Sequence, residues 1–246
     1  MTSIALYNMK GGVGKTAGCV NLAFLAAEEG KKVLTWDLDP QAAASFYLKT
    51  EAKLKGSFKK MLLHDFPVAE NIKPSPYENL DVLPADFGNR NLDSLLNDMK
   101  QSKKRMKSLL SQLHGHYDYL FIDCPPGIGD LSEAIFAAVD CVLMPAIPTT
   151  LSVRSWEMVV DFFKEHSLSS DKLLSYFNMV DSRKNMHNDV LNEFYQNRHF
   201  LKNYIPYLST VEKMGVNIAP VAWFAPSSYA AQCFREVWKE LKKNIS

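Results

Sequence analysis

Eleven residues near the start of the chain, Tyr7 to Ala17, read YNMKGGVGKTA and bring two lysines, three glycines and a threonine together. Gly14, Lys15 and Thr16 supply the last three letters of the phosphate-loop pattern G-x-x-x-x-G-K-[ST], while Met9 stands where its first glycine belongs. Gly11, Gly12 and Gly14 let backbone N–H groups turn inward on phosphate oxygens, where side chains would block the approach. The expected cradle is therefore Lys10, Gly11, Gly12, Val13, Gly14, Lys15, Thr16 and Ala17. In it Lys15 serves the β- and γ-phosphates and the Thr16 hydroxyl serves Mg²⁺. The second lysine, Lys10, has no place in the ordinary pattern and needs a separate explanation.

Two further segments carry carboxylates suited to the same chemistry. YLFIDCPPG puts Asp123 at the end of an apolar run, where an aspartate holds the Mg²⁺ shell. TWDLDPQ places Asp37 and Asp39 two residues apart at the end of another run, so both are expected to point toward the metal side of the site. Ligands of an open α/β sheet gather outside the carboxyl ends of its strands, and three strand-end motifs meeting there is what phosphoryl transfer requires.

The elements that must position these groups are legible as an alternation. Apolar, strand-like runs at residues 3–8, 32–39, 80–85, 117–125, 141–147 and 173–180 alternate with helical patterns at 15–29, 92–113, 152–164 and 230–243. Runs that are apolar throughout fit strands buried on both faces of a parallel sheet. The expectation is one doubly wound α/β domain over residues 1–246, with a mostly parallel sheet flanked by helices; the Pro-containing stretch 71–80 reads as a loop feeding a strand.

Bulk properties exclude several classes. A chain of 246 residues with 47% hydrophobic content has ample material for a core, and a net charge of +1 rules out a globally basic nucleic-acid binder. Cys19, Cys124, Cys141 and Cys233 are far apart, so they read as buried thiols of a reducing cytosol and give neither a zinc site nor a disulfide framework. The first residues enter IALYN without a basic leader, and no apolar run is long enough to span a bilayer, so a cytoplasmic chain is expected.

With KGGVGKT, DLDPQ and FIDCPPG in this order, the chain resembles the ParA/MinD family of deviant-Walker P-loop ATPases, and it is most similar to the short ParA-type, Soj-like members. NMVDSR at 178–183 and IPTTLSVRS at 147–155 match further segments of that group. The resemblance implies ATP and Mg²⁺ as ligands, and a homodimer with ATP sandwiched between subunits. It makes Lys10 the residue that crosses to the partner's nucleotide, and it gives Asp39 the attacking water. Mg²⁺ would be held by Thr16, Asp39 and Asp123, and Asn178 with the loop around Pro206 would face adenine. For Asn178 a turn-forming role stays equally open. Asp37 and Gln41 read as supporting rather than catalytic. Two departures stand out: Ala17 replaces the family's usual second threonine, removing an α-phosphate contact, and PQAAAS at 40–45 lacks the glycine and asparagine usual there.

The resemblance further implies nonspecific DNA binding by the ATP dimer, association with the nucleoid, and a ParB-like partner that stimulates hydrolysis while a plasmid, chromosome or protein cargo is positioned. Residues 181–246 hold nine Lys/Arg against six Asp/Glu, whereas the remainder of the chain is net negative. The DNA candidates are Arg183, Lys184, Arg198, Lys202, Lys213, Arg235 and Lys239, with the run 100–107 read as an exposed helix face. Three alternatives stay open: a MinD-like membrane-associated ATPase, a metabolic ligase of the same superfamily, and a metallochaperone. The segment 233–245 has apolar residues at helical spacing, and docking against the sheet is preferred over membrane attachment.

Overall fold

The computed structural model describes residues 1–86 and 92–245. Its strands are β1 (Thr2–Leu6), β2 (Val33–Asp37), β3 (Lys73–Pro74), β4 (Leu80–Leu83), β5 (Tyr119–Asp123), β6 (Cys141–Ala146), β7 (Leu173–Val180) and β8 (Ile205–Pro206). They form one sheet in the order β3-β4-β2-β5-β1-β6-β7-β8, parallel throughout except for the short β3–β4 pair. β2 and β6 are buried along their whole length, as the continuous apolar runs required.

The helices in chain order are α1 (Lys15–Glu28), α2 (Ala43–Tyr47), α3 (Phe58–Leu62), α4 (Leu92–Asn97), α5 (Ser102–Ser111), α6 (Asp130–Ala138) and α7 (Thr150–Glu165). They continue with α8 (Asn185–Phe194), α9 (Ser209–Glu212), α10 (Met214–Asn217), α11 (Val221–Phe224) and α12 (Tyr229–Asn244). Successive strand residues feed opposite layers. Ile4, Leu6, Val33, Phe121 and Leu143 join α1 and α12 in one core. Ala5, Leu34, Trp36, Ile122 and Met144 join α5, α6 and α7 in the other.

Two expectations about elements are corrected. The pattern at 92–113 is two helices, because Gln101, between Asn97 and Ser102, takes a left-handed conformation (φ 60°) that a continuous helix does not allow. The stretch 71–80 is not only a loop: Lys73 and Pro74 pair antiparallel with β4 at the sheet edge, a place where proline's missing donor is tolerated. The four cysteines are free and buried, as expected.

The last helix docks on the core. Ser228 caps it, accepting from the Ala231 N–H at 3.2 Å, and Phe234, Val237, Trp238 and Leu241 are each 2% exposed or less. Arg235 reaches Glu28 and Lys242 reaches Glu29 at the end of α1. Among the described residues, no helix is long and apolar enough to cross a membrane.

Candidate nucleotide site

The phosphate loop leaves the carboxyl end of β1, the strand flanked by β5 and β6. Five hydrogen bonds fix its course. Asn8 Nδ2 donates to the Pro145 carbonyl at 2.8 Å while its Oδ1 accepts from the Lys10 N–H at 3.0 Å, anchoring the loop to β6. The Tyr7 hydroxyl donates to the Gly127 carbonyl at 2.9 Å, and the Gly127 N–H donates back to Met9, tying the loop to the segment after β5. Asn178 Nδ2 donates to the Val13 carbonyl at 2.8 Å from β7. Asn8 was missed at the sequence level; its one signal is a polar residue closing an apolar strand.

Gly12 (φ 74°) and Gly14 (φ 92°) take left-handed conformations that side chains resist, and no atom lies within 4 Å of where a Cβ on Gly11 or Gly12 would stand. The space they leave belongs to a cavity of about 780 Å³. Gly11, Gly12, Gly14, Lys15, Thr16 and Ala17 line one side of it, Asp39, Pro40, Gln41, Ala43 and Tyr47 another, with Pro125, Pro126 and Met179 completing the wall.

The two lysines are placed differently. Lys15 is buried, and its Nζ donates across the loop to the Lys10 carbonyl at 2.9 Å. Burial lowers its pKa, and the Asp123 carboxylate opposes that shift. The Lys10 side chain turns away from its own loop, and Nζ donates to the Leu151 carbonyl on α7 at 2.6 Å.

Thr16 Oγ1 donates to Asp123 Oδ2 at 2.7 Å, and Asp123 Oδ1 is buried with no hydrogen-bond partner among the described residues. A buried carboxylate oxygen left unpaired is costly unless a cation or ordered water completes it. These residues therefore fit Mg²⁺. Among the described residues no group of three or more His, Cys, Asp or Glu could grip a metal unaided. That suits an ion held by one or two carboxylates together with substrate phosphates. Thr16, Asp123 and Asp39 are the residues that would hold it.

Asp37 is corrected. It sits beside Asp123 in the β2–β5 register, but its carboxylate is fully buried and occupied, accepting from the Ser45 N–H and hydroxyl at 2.7 and 2.8 Å and from the Asp39 N–H at 3.2 Å. It fastens the segment after β2 rather than facing the cavity. Burial first, then the neighbouring Asp39, pushes its pKa to about 6 against the help of Ser45; burial and then Asp37 push Asp123 well above the usual carboxylate range. Asp39 does line the cavity, with Oδ1 accepting from the Gln41 N–H at 2.9 Å. Ala42 takes φ 55° and opens α2. Ser45, the one polar residue after three alanines, was the missed partner of Asp37.

The structure thus brings together Lys10 to Ala17, Asp39 and Asp123. It does not bring Asn178 or Pro206 onto the cavity wall: Asn178 is buried against the loop, and Pro206 pairs with Val180 on β8. The seven basic candidates lie apart from the cavity. Arg183 is paired with Asp181, Arg198 with Asp171, Arg235 with Glu28 and Lys239 with Glu236, while Lys202 sits 4.6 Å over the Tyr195 ring.

A family profile described as "AAA domain" matches residues 1–175. The sporulation initiation inhibitor protein Soj of Bacillus subtilis is 30% identical over 248 residues, covering 98% of each chain. The chain belongs to the ParA/MinD family of P-loop ATPases. Two solved structures share its fold. McdA of Cyanothece, as an aspartate-to-alanine variant in complex with ATP, superposes with a TM-score of 0.84 at 19% identity, over 100% of this chain and 96% of McdA. Cobyrinic acid a,c-diamide synthase of Mycobacterium smegmatis, with an ATP analogue and magnesium, gives 0.83 at 25% identity over 99% and 94%. In this ParA/MinD member the loop departs from the ordinary pattern at Met9, and the side chain of the next residue, Lys10, leaves the cradle.

Proposed function

We propose that this chain is an ATP-driven switch: ATP closes a homodimer, the dimer binds duplex DNA without sequence preference, and a ParB-like partner stimulates hydrolysis so that a plasmid, chromosome or protein cargo is positioned. The chain works as one domain, in the cytoplasm and on the nucleoid. The observation that carries this reading is the division between the two lysines. Lys15 is buried in the cradle, where it would neutralise bound phosphate, whereas Lys10 projects from it and donates to the Leu151 backbone carbonyl.

In a phosphoryl transfer to water, charge spreads over the transferring phosphate's oxygens, and a cation delivered there from a second subunit acts as an arginine finger does. Lys10 of one subunit would supply it to the other, making turnover conditional on dimerisation. Asp39, on the cavity wall, would orient the attacking water and accept its hydrogen bond. Mg²⁺, when bound, neutralises phosphate oxygens from the Thr16 and Asp123 side of the cavity. The backbone N–H groups of Gly12 to Thr16 hold the phosphates, and the α1 N-terminus reinforces them.

DNA contact would use the 181–245 face. Exposed ion pairs contribute at most about 1 kcal/mol, so Arg183, Arg198 and Lys239 can exchange their carboxylates for phosphate; Lys184, Lys202 and Lys213 are exposed there as well. Burial of the α12 apolar face counts against a MinD-like membrane attachment by that helix.

The test is binding to nonspecific duplex DNA with ATP, ADP or no nucleotide across a salt series, with the oligomeric state read by light scattering. Binding confined to ATP, steeply weakened by salt and coincident with a dimer, is the expected result. A nucleotide-bound monomer that ignores DNA would overturn the switch and favour a metabolic ligase on the same fold.

A further inference from the structure

The strand β7 meets the start of α1 at two glycines. A Cβ on Gly14 would lie 2.1 Å from Asn178 Nδ2, and one on Gly18 would lie 2.4 Å from the Tyr176 hydroxyl. Asn178 and Tyr176 are two apart on one face of the strand, and the glycines are four apart on one side of the helix start. Strand and helix are thereby keyed together, and only residues without side chains allow the approach. The Tyr176 hydroxyl finds no hydrogen-bond partner in this contact, so it contributes shape alone. Asn178 does bond, to the Val13 carbonyl at 2.8 Å. A carbonyl can only accept, so the amide nitrogen must be the atom that faces it.

The backbone bends just beyond this contact. Met179 takes φ 54°, and the β7–β8 ladder slips register between Asn178 and Val180. A left-handed non-glycine residue at a bulge is strain retained to re-aim a side chain. Here the residue at the bulge, Met179, is left on the cavity wall, while Asn178 keeps the inward face it shares with Tyr176. Asn178 also pairs through its backbone with Ile205, and Val180 accepts from the Tyr207 N–H at 2.9 Å, so the loop is linked through β7 to the β8 edge.

We propose that Asn178 is a positioning residue for the phosphate loop and not a reader of the nucleotide base. By holding the Val13 carbonyl it fixes the peptide that precedes Gly14, and with it the direction of the N–H groups that receive phosphate. This rests on the assignment of the cavity as a nucleotide site, and the experiment separates the two.

Inorganic tripolyphosphate carries the phosphates without a base. Its Mg²⁺ complex, Mg-ATP and Mg-GTP are titrated into the wild-type chain, Asn178→Ala and Asn178→Asp, with the thermal midpoint recorded for each. Asn178→Ala is expected to weaken all three ligands by one common factor of about 3- to 10-fold, as the loss of one hydrogen bond does, leaving the ATP-to-GTP ratio unchanged. Asn178→Asp, equal in size but without the donor, weakens them further. If Asn178→Ala does not fold, Asn178→Ser takes its place, its hydroxyl able to donate, and should fall between wild type and Asn178→Asp. A loss confined to the nucleotides with a changed ATP-to-GTP ratio overturns the proposal, as does a lowered midpoint with tripolyphosphate affinity unaltered. A wild-type chain that binds none of the three ligands overturns the nucleotide-site assignment itself.

Discussion

Thr16 and Asp123 meet through a 2.7 Å hydrogen bond between Oγ1 and Oδ2, joining the first turn of α1 to the end of β5. The bond leaves Asp123 Oδ1 buried and, among the described residues, unpaired, and it places a hydroxyl and a carboxylate where a phosphate-bound cation needs oxygen ligands.

Replacing that carboxylate isolates the metal's share. Asp123→Asn should retain the fold and lower hydrolysis by about 100-fold or more, since one preorganised electrostatic group of this kind is worth roughly 3 kcal/mol of barrier. Steady-state phosphate release across a Mg²⁺ titration measures it. A variant with wild-type rate and wild-type Mg²⁺ dependence would remove Asp123 from the site.

The lysines should separate cleanly. Lys15→Ala is expected to weaken ATP binding on the order of 100-fold by deleting a buried, charge-assisted contact. Lys10→Ala should bind ATP like wild type yet lose dimerisation and on the order of 10³ in turnover, the low end for a finger supplied in trans. Calorimetry, light scattering and phosphate release together decide it, and normal turnover by Lys10→Ala would refute the trans assignment.

Asp39→Ala should stop hydrolysis while sparing ATP binding, because Asp39 lines the cavity without holding the loop. The expected product is a long-lived ATP dimer that stays on DNA. A variant that is monomeric in ATP would show that Asp39 serves assembly instead.

Asp37 predicts a pH dependence. The folded chain holds its proton up to about pH 6, whereas an unfolded aspartate releases it near 3.8. The folded state therefore binds the proton more tightly, and the stability this group gives is fully present below pH 4 and is lost as pH rises through 6. Urea midpoints of the Mg²⁺-free chain and of Asp37→Asn between pH 5 and 7 should show a decline in the wild type that the variant flattens. Equal slopes would exclude Asp37 as the cause.

Helix α12 should behave as core. Trp238 is 1% exposed, with its ring against Tyr119 and Phe121, so Trp238→Ala should cost about 3–5 kcal/mol in chemical denaturation. Liposome flotation of the wild type should show no lipid binding. Flotation by a folded chain would reopen membrane attachment.

Residue types spaced closely along the chain determined the most. Loop, strand and helix around Gly14-Lys15-Thr16 are local, and the apolar runs before Asp39 and Asp123 mark strand ends, so the cradle and its carboxylates were legible in the sequence. The sheet order was not, since pairing among parallel strands is set by crossover helices and burial rather than by any run of residues. Nor were the side-chain assignments that depend on partners far along the chain. Asp37 and Asp39 look alike in TWDLDPQ; only the fold hands Ser45 to one and the cavity to the other. Asn178 is 165 residues from Val13, and only the packing of β7 against the start of α1 brings its amide onto the loop. Likewise the basic count after residue 181 was plain, but tertiary contacts decided that Arg198 and Arg235 would meet Asp171 and Glu28. Short-range pattern fixes which atoms can do chemistry; long-range packing selects which of them face the ligand, because burial and hydrogen bonding are satisfied only once distant segments meet.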